Sequence, residues 1–232
     1  MDGAKKRSVP HDLSRTLDKS ENHPSVDEYT PYRGAVGSLT WASVMTRLDI
    51  ANAVREFAKY SSNPKVTHWR AVKCILAYLN TCPSVGLSFC GFSTDGYDDA
   101  SYAGDWNDRK SVTGGEIMFA GGSISWMSKV QRVVALSSTE SEYIALSSVA
   151  QELLFLRSVF ELIQPQFPRR CIDLFEEKLV RNATSSTRTK HIDVRHHFLM
   201  DVSRKGEVRV VLVGTANQRA DVLTKNLPVR VF

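Results

Sequence analysis

The chain has 232 residues, 42% of them hydrophobic and 24% charged, with a formal net charge of +5. That is enough apolar material for one sizeable core or two small ones, and it excludes a chain disordered throughout. No run of 18 or more apolar residues and no signal-type N-terminus is present, so the chain reads as soluble and intracellular, without a membrane partner.

Residues 1–30 are polar, contain Pro10 and Pro24 and show no apolar period, so they read as a flexible arm. "TRLDIANAVREFAKYSSNP" then places Ile50, Ala53, Val54 and Phe57 on one helical face, with Asn63-Pro64 as the stop. "THWRAVKCILAYLNT" repeats the period with Trp69, Val72, Ile75, Leu76 and Leu79, giving a helical pair over about 46–81.

After residue 85 the texture changes. "VGLSFCGFS", "GYDDASYAGD", "VTGGEIMFAGGSISWMS" and "QRVVALS" are short β-branched and aromatic runs broken by Gly, Asp and Ser, which predicts several strands in succession. A long apolar helix follows from about Thr139 to Ile163, opened by Ser/Thr caps and carrying Ala150, Leu153, Leu154 and Val159 inward. "CIDLF" predicts a strand, "TKHIDVRHHFLMDVSRKG" a basic helix, "EVRVVLV" a strand and "NQRADVLTKN" the start of a last helix. The order β-β-β-α-β-α-β-α points to a mixed sheet covered by helices. The four cysteines, Cys74, Cys82, Cys90 and Cys171, lack CxxC spacing, which argues for buried free thiols against a zinc site or redox pair.

Charge and acid placement carry the chemical signal. From Arg188 to Phe232 there are nine Lys and Arg against four Asp and Glu, 9 − 4 = +5, so this tail carries a charge equal to the whole chain's excess and favours a polyanion. Acids stand inside the first strand (Asp98, Asp99), in the first turn of the long helix (Glu142) and at the start of the last helix (Asp221). Carboxylates that converge repel one another unless a hard cation neutralises them, and Mg²⁺ prefers such oxygens. Glu140, two residues before Glu142, reads as the carboxylate that serves the helix start.

The strings "YRGAVGSLTWASVMTRLDIANAV", "HWRAVKCILAYL", "GYDDASYAGDWNDRKSVTGG", "SWMSKVQRVVALSSTESEYIAL", "TRTKHIDVRHHF" and "ANQRADVLTK", in this order, resemble the C-terminal part of the Pol polyprotein of copia-type LTR retrotransposons, over about residues 30–228. The resemblance implies an α/β ribonuclease H-like fold: a mixed five-stranded sheet with flanking helices (86–232), preceded by a small helical connection segment (31–85). It also implies cleavage of the RNA strand of an RNA·DNA hybrid with two Mg²⁺, no small-molecule cofactor, and a cytoplasmic retroelement particle or the nucleus as the location. Carried over position by position, it puts catalytic acids on Asp99, Glu142 and Asp221, which also hold metal, and Ser101 stands where a further acid is usual. These three carboxylates are expected on the order of 4–8 Å apart, the reach of a shared ion.

The third acid of the set is where the pattern breaks. The family's strand-end aspartate and the Asn-Gln-Ser/Gly-Ala-Ile run after it are missing from "CIDLFEEKLVRN", which leaves Glu176 or Glu177 near the aspartate position; Glu177 is the assigned residue, and cleavage is expected to be impaired. Lys190, His191 and Arg195 are expected at phosphates. His191, His196 and His197 share one helix and read as substrate-facing rather than zinc-binding, and Trp106 and Trp126 as packing. Leu48 replaces the family's proline, and no Tyr-x-Asp-Asp stretch occurs, so reverse transcription is not expected and the chain reads as a fragment that follows a missing polymerase palm. Three classes of function remain: an endonuclease, a hybrid-binding or RNA-binding module without catalysis, and a transposon relic with no selected role.

Overall fold

The computed structural model describes residues 6–11, 23–91, 94–104, 108–166, 170–177 and 190–227, the side chains of 190–193 excepted. Most of the N-terminal arm, Trp106, the stretch that follows Glu177, and the side chains of Lys190 and His191 therefore lie outside the described residues. The chain divides into two compact units: Met1–Leu87 with Trp106–Asp108 and Lys225–Phe232, and Ser88–Asp105 with Arg109–Thr224.

The first unit is helical, with α1 (Tyr32–Met45), α2 (Ala51–Ala58) and α3 (Val66–Thr81). Ile50, Ala53, Val54 and Phe57 are buried as their period predicts, together with Val72 and Ile75 of α3. The helix α1 goes beyond the expected pair. Gly34 and Gly37 dilute its apolar signal, yet Tyr32, Val36, Leu39 and Ser43 recur at helical spacing and form its buried face. Arg47 pairs with Asp49 at 2.8 Å, and the Tyr78 hydroxyl donates to the same carboxylate at 2.7 Å, so the turn before α2 is tied to α3.

The second unit is built on the expected mixed five-stranded sheet. Strands β1 (Thr94–Ser101), β2 (Val112–Phe119), β3 (Gly122–Val130), β4 (Ile172–Glu176) and β5 (Val208–Leu212) lie in the order β3-β2-β1-β4-β5. The β1–β2 and β2–β3 pairs are antiparallel; β1–β4 and β4–β5 are parallel. The β2–β3 hairpin turns on Ala120 and Gly121, with φ of 53° and 75°, the left-handed pair that a two-residue turn of matching twist requires. Helices α4 (Ser138–Ile163), α5 (Lys190–Arg204) and α6 (Asp221–Thr224) complete the unit. By length and composition α4 would pass for a membrane span; here its residues from Glu140 to Leu153 supply buried side chains to the core over the sheet.

Two expected strands do not form. The run "QRVVALS" leaves the sheet after β3, with Val133, Val134 and Leu136 48%, 49% and 78% exposed, and "VGLSFCG" is likewise without strand pairing. Both have β-propensity and no neighbouring ladder, and the propensity acts only through pairing and packing. The cysteines are corrected too: Cys74 and Cys82 are half-buried and Cys90 and Cys171 exposed, because they fall on helix flanks and loop edges rather than on inward positions.

A methyl on Gly115 would come within 2.5 Å of Val149 Cγ2 in α4, and one on Gly96 within 2.7 Å of Leu153 Cδ1, whereas one on Gly114 would meet Thr224 Cγ2 at 2.6 Å. Successive residues therefore face α4 and α6 alternately, and glycine lets both helices approach the sheet. Gly115→Val is expected to lower unfolding free energy by about 1–3 kcal/mol through overpacking. Gly34→Ala, in a helix with nothing within 4 Å of the added methyl, should raise it by roughly 0.5–1 kcal/mol. Urea denaturation of the two variants checks both signs.

Candidate metal centre

Neighbouring residues of a strand point to opposite faces, so Asp98 and Asp99 part company within β1. The parallel register aligns Asp95 with Asp173, Gly96 with Leu174 and Tyr97 with Phe175. Carried one and two steps further, it brings Asp98 level with Glu176 and Asp99 level with Glu177. The two acid pairs are thereby sorted onto two faces. Tyr97 and Phe175 stack at 4.9 Å on the face of Asp99, while Gly96 and Leu174 lie under Leu153 of α4 on the face of Asp98.

On the first face Asp99, Glu177 and Asp221 each present an oxygen, and the three lie within 4.8 Å of one another. Asp99 and Asp221 are buried and Glu177 half-buried. Thr224 Oγ1 donates to Asp99 Oδ2, and Thr215 Oγ1 to Glu177 Oε1. Arg219, in the turn before α6, donates from Nη2 to the buried Glu116 carboxylate at 3.0 Å and lies over the Tyr97 ring, which pins that turn to β1 and β2. Two unit charges about 5 Å apart repel by roughly 3 kcal/mol at an effective dielectric of ~20, a large fraction of a domain's stability for three such contacts. An all-oxygen, all-anionic donor set suits a hard divalent cation such as Mg²⁺ and does not suit zinc.

The opposite face holds the second group. Asp98 is fully buried, and neither of its carboxylate oxygens has a hydrogen-bond partner among the described residues. Burial first, then the charges of Glu176, Glu142 and Asp99, push its pKa well above the usual carboxylate value. Glu142, buried in α4, thus stands close enough to act on Asp98, and it is not one of the trio that shares the 4.8 Å space. The structure therefore brings together Asp99, Glu177 and Asp221, and buries Glu142 in α4 close enough for its charge to act on Asp98. Glu140 has its own role at the helix start: its N–H donates to the Ser137 N-cap hydroxyl at 3.1 Å, and its carboxylate accepts from Leu136 N at 2.7 Å.

Arg195 faces the protein as well as its outer surface. Its Nη1 donates to Ser147 Oγ of α4 at 2.6 Å, and its neighbour His196 meets the Tyr143 ring edge-on at 5.9 Å. Thr215, Gln218, Arg219 and Thr224 are the participants that sequence reasoning passed over; the polar pair Gln218-Arg219 directly before Ala220-Asp221 was the signal available.

The chain is 39% identical over 242 residues to the retrovirus-related Pol polyprotein from transposon TNT 1-94 of Nicotiana tabacum, a match that covers 100% of this chain and 18% of that protein. It belongs to the copia-type Pol family. This member spans less than a fifth of the length of that polyprotein. It is also 46% identical over 129 residues to the secreted RxLR effector protein 161 of Plasmopara viticola, covering 91% of that protein. Among solved structures it is similar to LC11-RNase H1 in a crystal with an RNA/DNA hybrid, at a TM-score of 0.42 and 13% identity, over 57% of this chain and 94% of that one. No protein-family model matches the chain.

Because the folded pKa of Asp98 is raised, the folded state holds that proton more tightly than the unfolded state does. Stability contributed at this site is therefore lost as pH climbs from the ordinary carboxylate value towards the raised one. Asp98→Asn keeps the shape and removes the titration. In EDTA, chemical denaturation from pH 4 to pH 8 should show the variant gaining stability on the parent as pH rises across that range; a constant difference would contradict the account.

Proposed function

We propose that this chain is the ribonuclease H-type nuclease part of a copia-type Pol polyprotein, cutting the RNA strand of RNA·DNA hybrids with Mg²⁺. The observation that carries the reading is the convergence of Asp99, Glu177 and Asp221 from β1, the end of β4 and the start of α6. The hybrid substrate follows from family membership and from the +5 excess between residues 188 and 232. When bound, Mg²⁺ supplies Lewis-acid stabilisation of the phosphodiester and a water of lowered pKa. The chain's own part is to hold three carboxylates in place, with Thr224 and Thr215 fixing two of them, and to keep Asp99 and Asp221 out of bulk water. Glu142 is the fourth acid by resemblance. Slow turnover is expected because the strand-end aspartate of the family pattern, and the run after it, are missing from "CIDLFEEKLVRN", with Glu177 in the aspartate's stead.

On a labelled hybrid, slow RNA-strand cleavage is expected with Mg²⁺ and none with EDTA. Asp99→Asn and Asp221→Asn should each lower the rate on the order of 10²-fold or more. The loss of the family's run after the strand-end acid in "CIDLFEEKLVRN" favours one second reading, a module that binds hybrids without cutting them; binding with no cleavage at any Mg²⁺ concentration would select it.

Hybrid affinity should also fall linearly on a log–log plot against salt, with a slope of roughly −0.9 for each phosphate neutralised. Lys190→Glu should flatten that slope by about one unit, read by fluorescence anisotropy between 50 and 200 mM salt. An affinity indifferent to salt would remove nucleic acid as the partner.

A further inference from the structure

Gln218 lies between the short helical turn Thr215–Asn217 and α6, 6% exposed. Its side-chain amide works in two directions. Nε2 donates to the Asp98 carbonyl at 2.8 Å and, at 3.5 Å, to the Phe175 carbonyl, while Oε1 accepts from Ala220 N at 3.3 Å. The Asp98 carbonyl belongs to the peptide that leads into Asp99. Phe175 is two residues before Glu177, and Ala220 is the residue before Asp221. One planar amide thus touches the backbones of all three segments that deliver the carboxylate trio.

Its location explains why a side chain is needed there. The β1–β4 pairing ends at Tyr97–Phe175, the last aligned pair before the acids. At this end of the pairing the Asp98 carbonyl, one residue past it, and the Phe175 carbonyl both accept from the same amide nitrogen. Only a carboxamide offers two N–H donors for carbonyls on two strands and an acceptor for a third backbone, all fixed in one plane. The carboxylates themselves are not its partners, so its influence on them passes through their peptides.

We propose that Gln218 is a positioning residue of the metal centre: by bridging β1, β4 and the start of α6 it sets the separation of Asp99, Glu177 and Asp221. This inference rests on the metal-binding reading of the trio given under Proposed function. Sites of this kind tolerate displacements of only about 0.5 Å, so the loss of one bridge has a measurable effect on ion affinity.

The test is Mn²⁺ binding to the full chain by isothermal titration and electron paramagnetic resonance, which needs no turnover. Gln218→Met keeps the length and deletes both hydrogen-bonding functions. Val208→Ala, in the buried part of β5 away from the trio, is the control for lost stability without lost positioning. Gln218→Met is expected to weaken Mn²⁺ binding at least tenfold and to speed amide exchange of residues 219–224 in the metal-free protein, whereas Val208→Ala leaves the affinity within twofold of the parent. If Gln218→Met binds Mn²⁺ within twofold of the parent, or no worse than Val208→Ala, the positioning role is overturned while the metal centre stands. If the parent chain itself takes up no Mn²⁺, the metal reading falls and this inference with it.

Discussion

The parallel register between β1 and β4 is the constraint on which the candidate site depends. Asp98-Asp99 and Glu176-Glu177 are two adjacent acid pairs on adjacent strands, and side-chain alternation sends one acid of each pair to either face. A slip of one residue would exchange the partners and scatter the trio, since a shift by one flips every side chain. What holds the register has nothing to do with metal: Leu174 and Gly96 packed under Leu153, and the Tyr97–Phe175 stack. Hydrophobic packing at one end of the strands sets the geometry of carboxylates at the other.

That arrangement leaves one carboxylate in a costly place. Asp98 is buried with no hydrogen-bond donor among the described residues, within electrostatic reach of Glu176 and Glu142, on the face covered by α4. A buried acid in apolar surroundings is tolerated when it keeps its proton, and the raised pKa shows the direction the protein takes. On the other face the Thr224 and Thr215 hydroxyls donate to Asp99 and Glu177, and the nearby Glu116 carboxylate is paired with Arg219. The two faces of one short strand segment thus differ electrostatically, with a carboxyl pushed towards its protonated form on one and a site suited to a cation on the other.

The departures from the family pattern cluster around this point. By the resemblance, Ser101 stands in β1 at the position of a further acid and Glu177 at that of a strand-end aspartate, and Glu142 is not among the three acids whose oxygens lie within 4.8 Å. Glutamate's additional methylene, on a residue just beyond β4, lets Glu177 reach the space shared with Asp99 and Asp221 although the sequence after it is shortened. These features agree with a centre that retains ion-binding geometry more fully than it retains the fourth acid.

Much of this was legible in the chain itself. Periodicity located α2, α3, α4, α5 and every strand of the sheet, because each has a buried face whose repeat matches its backbone. The spacing of acids and the family strings marked Asp99 and Asp221, and the Ser137–Glu140 cap separated Glu140 from Glu142. Sequence left Glu176 and Glu177 as alternatives, since both are glutamate and adjacent; only the strand register, a long-range pairing, decides which face each takes. It was silent on Gln218, whose partners are backbone groups 120 and 43 residues away. Local pattern determines which elements form and which residues are charged, whereas the meeting of distant carboxylates and the amide that spaces them exist only once the sheet has closed.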